Sequence, residues 1–282
     1  MRKHSIFFFF MMVFFAFPAC KSILALEVTV SPQEVIPGDA FVIKVTGTKA
    51  LKLSPVSFMG KKFYFSRCGK GCLRAVGAVG MDAKSGDYTL KLKIGKKRKC
   101  VKIVVNPFNF PTMEFSLPED KVFLSTENLK RVKKEERKLR SVFRKVNRRL
   151  WEGDFILPLE HEISSLFGTK RIFNEKRISL HRGMDIRGEE GEEIRASNRG
   201  RVIFAGELFF GGNTVILDHG QGICTLYMHL SEIHVRSGEM VSKGNIVGLV
   251  GSSGRSSGPH LHFGVKVMNI NINPLSLIEL DL

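Results

Sequence analysis

Beyond its first twenty residues, the sequence lacks any apolar run of the ~20 residues that a membrane-spanning helix needs. It also lacks a compositional bias, since 43% of its 282 residues are hydrophobic and 25% are charged. These values exclude a wholly disordered, collagen-like or low-complexity chain. At ~150 residues per domain, the length indicates about two domains.

The single apolar block, Ile6–Phe17, follows two positive side chains, Arg2 and Lys3. A positive start and a short apolar block are typical of a secretory signal. We therefore expect export to the periplasm, the cell envelope or the medium, with residues 1–25 removed as a signal peptide. Two alternatives stay open: a lipid on Cys20, or an uncleaved signal that acts as an anchor.

Five cysteines fit the oxidising compartment that export implies. We expect one disulfide among Cys68, Cys72 and Cys100, and the sequence leaves its pairing open. A metal site at Cys68 and Cys72 is less favoured, because no nearby histidine or second cysteine pair completes four ligands. Cys224 lies in an alternating apolar stretch, which predicts a buried thiol.

Residues 26–106 contain no histidine, and no catalytic group of side chains is recognisable there. Short alternating segments are separated by Gly, Pro and Asp, which predicts a small β-sandwich of immunoglobulin-like type. The predicted strands are Leu26–Val30, Phe41–Thr46, Lys62–Phe65, Asp87–Ile94 and Cys100–Val105.

Residues 107–153 are predicted to be a linker with a basic amphipathic helix. Ser125 or Thr126 can cap a helix that runs to about Leu150. Apolar residues recur at helical spacing and predict packing against one of the domains. A coiled-coil partner or a membrane surface is the alternative role for this stripe.

Positive charge is concentrated before residue 151. Residues 27–125 hold 17 basic and 8 acidic side chains, residues 126–150 hold 11 and 3, and the whole chain carries +17. A basic surface can bind a polyanion, and in an exported protein this would be an anionic envelope polymer or a phospholipid surface, not a nucleic acid. The alternative is charge that serves only solubility.

Residues 154–282 lack helix-length periodic segments and are rich in Gly, which predicts an all-β domain with tight turns. The predicted strands include Gly200–Gly206, Asn213–Leu217 and Ile246–Val250. The acidic block Glu189–Glu193 is predicted to be a solvated loop.

Three histidine clusters stand out in this region: His181-Arg-Gly-Met-Asp185, Thr225-Leu-Tyr-Met-His229 and Gly258-Pro-His260-Leu-His262. In a strand, alternate residues share a face. His260 and His262 should therefore point to one side, with Leu261 and Phe263 towards the core. The same rule predicts that Thr225, Tyr227 and His229 share a face. His181 should lie in a loop that leads into the strand of Asp185.

Two imidazoles, one carboxylate and a water form a hydrolytic zinc site with an open position. Strand geometry alone permits either His260 or His262 as a ligand. The remaining histidines are less promising: His219 follows a strand in a turn and is predicted to be structural, and His161 and His234 are isolated.

These motifs resemble those of the lysostaphin/LytM-type zinc endopeptidases of bacterial cell walls. That family has an HxxxD, a tyrosine-x-His-Leu and a glycine-proline-HLH, and the sequence from about Phe155 to Leu277 follows this order. Ser257 stands where the family commonly has threonine. No ligand position is missing.

The resemblance implies an antiparallel β catalytic domain (the duplicated hybrid motif) with a groove across one face. It implies one zinc ion bound by His181, Asp185 and His262, with His229 and His260 flanking a zinc-bound water. The implied function is hydrolysis of peptide cross-links in peptidoglycan. Which histidine is the general base, and which peptide bond is cut, stays open.

Three other functions remain possible at this stage. The first is a non-hydrolytic envelope-binding regulator of other wall hydrolases, as some relatives without zinc ligands are. The second is a wall-binding or adhesion protein that acts through the β-sandwich. The third is another zinc hydrolase of the wall, such as a D-alanyl-D-alanine carboxypeptidase or an amidase.

Overall fold

The computed structural model describes residues 25–47, 53–116 and 124–282. The expected signal segment, including Cys20, therefore lies outside the described residues except for its last position. Among the residues described, no helix is long and apolar enough to cross a membrane.

Among the described residues, nine strands build the N-terminal region. They form a four-stranded sheet in the order β1-β3-β7-β6, a three-stranded sheet in the order β2-β9-β8 and the hairpin β4-β5. Every strand predicted there is present, with shifted ends. The strands are β1 (Glu27–Ser31), β2 (Glu34–Val35), β3 (Ala40–Thr46), β4 (Val56–Phe58), β5 (Lys61–Phe63), β6 (Ser66–Gly69), β7 (Cys72–Ala78), β8 (Gly86–Ile94) and β9 (Lys97–Val105).

The C-terminal region is built mainly on an eight-stranded sheet, in the order β11-β14-β22-β18-β17-β16-β20, with β23 beside β22. Two three-stranded sheets, β15-β21-β19 and β10-β12-β13, flank it. This mainly β architecture confirms the predicted fold class. The strands are β10 (Thr112–Phe115), β11 (Ile163–Ser165), β12 (Lys170–Phe173), β13 (Arg177–Leu180), β14 (Met184–Arg187), β15 (Glu193–Arg195), β16 (Gly200–Leu208), β17 (Gly212–Gly220), β18 (Ile223–Leu230), β19 (Glu232–Ile233), β20 (Met240–Val241), β21 (Ile246–Leu249), β22 (His260–Val267) and β23 (Ile270–Ile272).

Helix α1 spans Thr126–Val142 and begins as predicted, since the Ser125 side chain accepts a hydrogen bond from the Asn128 amide. The prediction that it runs to about Leu150 is wrong. The Asn147 carbonyl accepts from the Gln221 amide, and the Leu150 amide donates to the His219 carbonyl. These tertiary hydrogen bonds hold the chain after the helix in an extended form.

The apolar stripe of α1 packs on the eight-stranded sheet. Leu139 and Phe143 contact a cluster of buried residues from β16, β17 and β18. This confirms the packing role that the sequence indicated. The buried cluster comprises Phe204, Leu208, Ile216, Cys224 and Leu226.

Cys68 and Cys72 form a disulfide, which confirms the expected bridge and leaves neither thiol for a metal. Cys100 is an exposed free thiol. Cys224 is buried, as predicted, and burial raises the pKa of its thiol.

One strand, β10, comes from the segment predicted to be a linker. It pairs in parallel with β12, and β12 pairs antiparallel with β13. The linker segment therefore contributes backbone to the C-terminal region. A second helix, α2 (Pro274–Ile278), lies near the chain end.

The N-terminal and C-terminal regions share one hydrophobic core. Hydrogen bonds also join them: the Ala40 amide donates to Ser276 Oγ at 3.0 Å, and the Asn273 amide donates to the Gly38 carbonyl at 2.7 Å. The side chain of Gln221 donates to the carbonyl of Tyr64 at 3.0 Å. The N-terminal strands are therefore packed against the C-terminal sheets.

Candidate metal centre

Strands β14 and β22 bring two of the predicted ligands together. They pair antiparallel with Asp185 opposite His262, so both side chains leave the same face of the sheet. His260, two residues before His262, lies on that face too. Leu261 is fully buried on the opposite side, as the alternation predicted.

His181 reaches the cluster from the loop before β14, as expected. Its amide donates to the Thr169 carbonyl, and its carbonyl accepts from the Gly168 amide. Gly183 makes the close approach possible, because a Cβ at that position would lie 2.5 Å from the Phe263 carbonyl oxygen and 2.8 Å from His262 Nε2. Any larger residue would push the loop away from His262.

Three candidate ligand atoms converge on one point. His181 Nε2 lies 3.0 Å from Asp185 Oδ1 and 3.0 Å from His262 Nδ1. Asp185 Oδ1 lies 2.8 Å from His262 Nδ1. No other group of three histidine, cysteine or acidic ligands this close was found in the described part of the chain.

Hydrogen bonds orient these ligands. Nδ1 of His181 lies 2.9 Å from the Leu166 carbonyl oxygen. A carbonyl only accepts, so Nδ1 carries the proton and Nε2 keeps its lone pair for a metal. Burial raises the pKa of the Asp185 carboxyl, but the close approach of the His181 and His262 rings outweighs it and lowers the pKa overall. Asp185 is therefore an anion.

Two further histidines flank the cluster. Nδ1 of His229 lies 2.8 Å from the Ser253 carbonyl oxygen, and Nδ1 of His260 lies 2.8 Å from the Gly258 carbonyl oxygen. The two rings are 4.8 Å apart, centroid to centroid. In both rings the carbonyl holds the proton on Nδ1, so Nε2 can accept one.

The predicted shared face of Thr225, Tyr227 and His229 is wrong for His229. Tyr227 packs on Phe263, on the core side of the sheet, whereas the His229 ring lies 6.0 Å from that of His262. A β-bulge is the reason: three residues of β17, Asn213 to Val215, oppose four residues of β18, Tyr227 to Leu230. His229 has φ +66°, and the extra residue turns its side chain to the other face.

Burial lowers the pKa of His229 to about 3, with a further contribution from the charge of His262. The ring is therefore neutral at neutral pH. A neutral imidazole with an accepting Nε2 is suited to take a proton from a nucleophile.

The remaining described histidines lie outside the cluster. His219 is fully buried, bonded through its ring to the Arg199 carbonyl and Thr225 Oγ1, and burial lowers its pKa to about 4. This fits the predicted structural role. His161 and His234 lie in exposed pairs with glutamates.

Arg171 is a site residue that sequence reasoning missed. Its Nη2 bonds to Asp185 Oδ2 and, at 2.9 Å, to Ser165 Oγ. An arginine on a short strand carries no sequence signal, because most such residues are exposed. Sequence reasoning also could not find the backbone carbonyls that orient the histidine rings, since every residue has a carbonyl. These carbonyls belong to Leu166, Ser253 and Gly258.

The donor set suits a borderline-soft divalent metal. Two imidazole nitrogens and one carboxylate oxygen are the ligands of hydrolytic zinc sites, which keep a fourth position open. The fit rests on the convergence of three ligand atoms, of which those of His181 and Asp185 belong to side chains that other groups already orient.

Comparison with known proteins gives a consistent result. The model of peptidase family M23 matches residues 179–274. A crystal structure assigned to peptidase M23 from Pseudomonas aeruginosa is 27% identical, with a TM-score of 0.68, and the match covers 86% of this chain and 94% of that one.

Two curated relatives match the C-terminal region. DD-carboxypeptidase/endopeptidase Mpg of Neisseria meningitidis is 39% identical over 128 residues, which is 45% of this chain and 30% of the relative. Peptidoglycan DD-endopeptidase ShyA of Vibrio cholerae is 37% identical over 114 residues, which is 40% of this chain and 26% of the relative. The chain thus spans less than a third of each relative's length.

The matched residues include all three histidine motifs, which carried the resemblance to lysostaphin/LytM-type enzymes. The comparisons confirm that resemblance. Residues 179–274 are thus similar to peptidase family M23 in sequence.

Proposed function

We propose that this chain is an exported zinc-dependent endopeptidase that hydrolyses peptide cross-links of bacterial peptidoglycan. In this proposal His181, Asp185 and His262 bind the zinc ion, and His229 and His260 transfer protons. Two curated relatives named as endopeptidases support the reaction class.

One observation carries the proposal most directly. His181 Nε2, Asp185 Oδ1 and His262 Nδ1 lie within 3.0 Å of one another, and two histidines with accepting Nε2 atoms stand beside them. Burying three ionisable groups together costs folding free energy. Their presence in one buried cluster therefore indicates a ligand or a reaction that requires them.

The zinc supplies a Lewis acid that polarises the scissile carbonyl and acidifies water. The side chains of the chain do the rest. The Nε2 of one flanking histidine accepts a proton from the attacking water, and the carbonyl carbon forms its new bond to that oxygen. The other histidine stabilises the oxyanion once its Nε2 also carries a proton. The C–N bond then breaks, and the histidine that accepted the water's proton passes it to the leaving amine.

Ser253 and Gly258 fix the geometry of this proton transfer. Their carbonyls accept from Nδ1 of His229 and His260, so that each ring keeps one orientation. General acid–base groups held in this way contribute about 10²–10⁴-fold to a rate. The proposal leaves open which of the two histidines is the base.

Digestion of purified sacculi tests the proposal. Purified protein with measured zinc content is incubated with sacculi, and the soluble fragments are identified by mass spectrometry. We expect cross-linked dimers to fall and monomers to rise. His262→Ala should abolish this change, and His234→Ala, which alters an exposed histidine outside the cluster, should not.

The same experiment separates the alternatives. Release of terminal D-alanine without loss of dimers identifies a carboxypeptidase, and cleavage between glycan and peptide identifies an amidase. Wall binding without any cleavage, in protein that contains zinc, identifies a regulator.

Export and wall binding complete the proposal. The positive start and apolar block of the sequence support export, and the Cys68–Cys72 disulfide fits an oxidising compartment. Protease protection in fractionated cells tests the location. Binding of anionic envelope polymers by the basic N-terminal half stays a prediction, which the salt dependence of sacculus binding checks.

A further inference from the structure

The two oxygens of Asp185 have different surroundings. Oδ1 faces the candidate ligand atoms of His181 and His262 at 3.0 and 2.8 Å. Oδ2 bonds instead to Nη2 of Arg171. Only one oxygen of the carboxylate is thus presented to the metal position.

Arg171 is held in place from several sides. It lies on β12, the central strand of a small sheet, opposite Met113 of β10 and Ser179 of β13. Its side chain is 23% exposed. The guanidinium also donates to Ser165 Oγ, which lies 3.3 Å from Nδ1 of His181. The Arg171 guanidinium therefore contacts the candidate ligand Asp185 directly, and it contacts Ser165, which lies beside the candidate ligand His181.

The start of β12 is tied to His181 as well. The His181 amide donates to the Thr169 carbonyl, and the Thr169 hydroxyl donates to the Leu166 carbonyl that also accepts from the His181 ring. Thr169 is almost fully buried. The strand of Arg171 and the loop of His181 are consequently one connected unit.

We propose that Arg171 is a positioning residue that holds Asp185 as a one-oxygen metal ligand, an inference that rests on the proposed zinc site. An arginine stays protonated at any working pH, so its hold on Oδ2 does not depend on titration. It fixes the carboxylate rotamer and keeps Oδ2 from the metal. Outer partners of this kind typically change metal affinity or activity by about 10–100-fold.

Two variants test this role. Arg171→Met removes both hydrogen bonds and the charge, whereas Arg171→Lys keeps the charge. The matched control is Arg187→Met, which removes an arginine of β14 that is paired with exposed Glu162 and lies two residues from Asp185. Thermal unfolding of the metal-free proteins confirms that each variant folds.

Zinc affinity, measured by competition with a chelator, is the first readout. We expect Arg171→Met to weaken zinc binding about 10–100-fold. The zinc affinity of Arg171→Lys should lie between those of Arg171→Met and the unaltered chain. Arg187→Met should have the zinc affinity of the unaltered chain. Unchanged affinity in Arg171→Met would overturn the inference. If Arg171→Met does not fold, unchanged affinity in Arg171→Lys overturns it.

The visible spectrum of the cobalt-substituted protein is the second readout. If Oδ2 becomes a ligand in Arg171→Met, the coordination number rises and the absorption weakens. An unaltered chain that binds neither zinc nor cobalt refutes the proposed function itself. A chain that binds both metals, with an identical spectrum in Arg171→Met, refutes only the role of Arg171.

Discussion

The N-terminal and C-terminal strands differ in what they bury. The buried side chains of β1 to β9 are apolar, with Phe41, Ile43 and Phe63 fully enclosed. In the described residues, every buried polar or charged side chain belongs to residues 169–229, and this group includes His181, Asp185 and His229. Both regions are β-sheet, so secondary structure alone does not explain the difference.

Burying polar groups costs free energy unless they are hydrogen-bonded, so their concentration in one region needs a cause. Some form structural networks, as His219, Thr225 and Tyr227 do. Others surround the candidate metal centre. The difference indicates that the buried side chains of the N-terminal strands serve packing alone, whereas packing in the C-terminal region also positions the side chains of the candidate metal centre.

The largest effect should come from the candidate ligands. Each of three variants should bind less zinc and hydrolyse its substrate about 10³-fold more slowly or worse, because each loses several kcal/mol of transition-state stabilisation. These variants are His181→Ala, Asp185→Ala and His262→Ala. His260→Ala should keep its zinc. Metal analysis of the four purified proteins checks this, and zinc lost from His260→Ala but retained in His262→Ala would reverse the assignment.

The flanking histidines should separate turnover from metal binding. His229→Ala and His260→Ala should each lower the turnover number by about 10²–10⁴-fold with zinc retained, because they move protons and are not ligands. Steady-state rates on purified cross-linked muropeptides measure the loss. A variant with nearly normal turnover removes its histidine from the mechanism.

A truncation in the apolar N-terminal core should lower stability without changing the metal centre. Phe41→Ala should cost about 3–5 kcal/mol of unfolding free energy through a cavity, with unchanged zinc affinity in the folded protein. Denaturant unfolding and chelator competition provide the two measurements. Leu129→Ala, at a half-exposed position of α1, is the control and should change stability by less than about 0.5 kcal/mol.

The buried polar network of the C-terminal region should make stability depend on pH. The pKa of His219 is about 4 in the fold against an ordinary value of 6.5, so the unfolded chain takes up a proton first as the pH falls. Its contribution is complete above about pH 6.5 and is lost as the pH falls towards 4, amounting to about 3 kcal/mol. Unfolding free energies between pH 4 and 8 should show this slope, and His219→Gln should flatten it. Part of the slope should remain in His219→Gln because the pKa of His229 is lowered too, and a slope as steep as in the unaltered chain assigns the effect to another group.

Local patterns predicted much of the site. The alternation along β22 correctly predicted which face of the sheet each side chain occupies, because a regular strand has a period of two. The residues are His260, Leu261, His262 and Phe263. It failed at His229, since the bulge depends on how β18 pairs with β17, which neighbouring residues do not encode. The pairing of β10 with β12 escaped prediction for the same reason, as each residue of β10 lies 58 positions from its partner in β12. Arg171 could be recognised only from its contact with Asp185 in the folded chain.

The small sheet β10-β12-β13 has a consequence for the transfer of this site between proteins. The family match begins at residue 179, after β10 and β12, so a segment cut to that match carries every candidate ligand. It leaves behind Arg171 and the carbonyl of Leu166, which orient Asp185 and His181. A host scaffold that receives only the matched segment would have to supply a new cation for Asp185 Oδ2 and a new acceptor for the His181 ring.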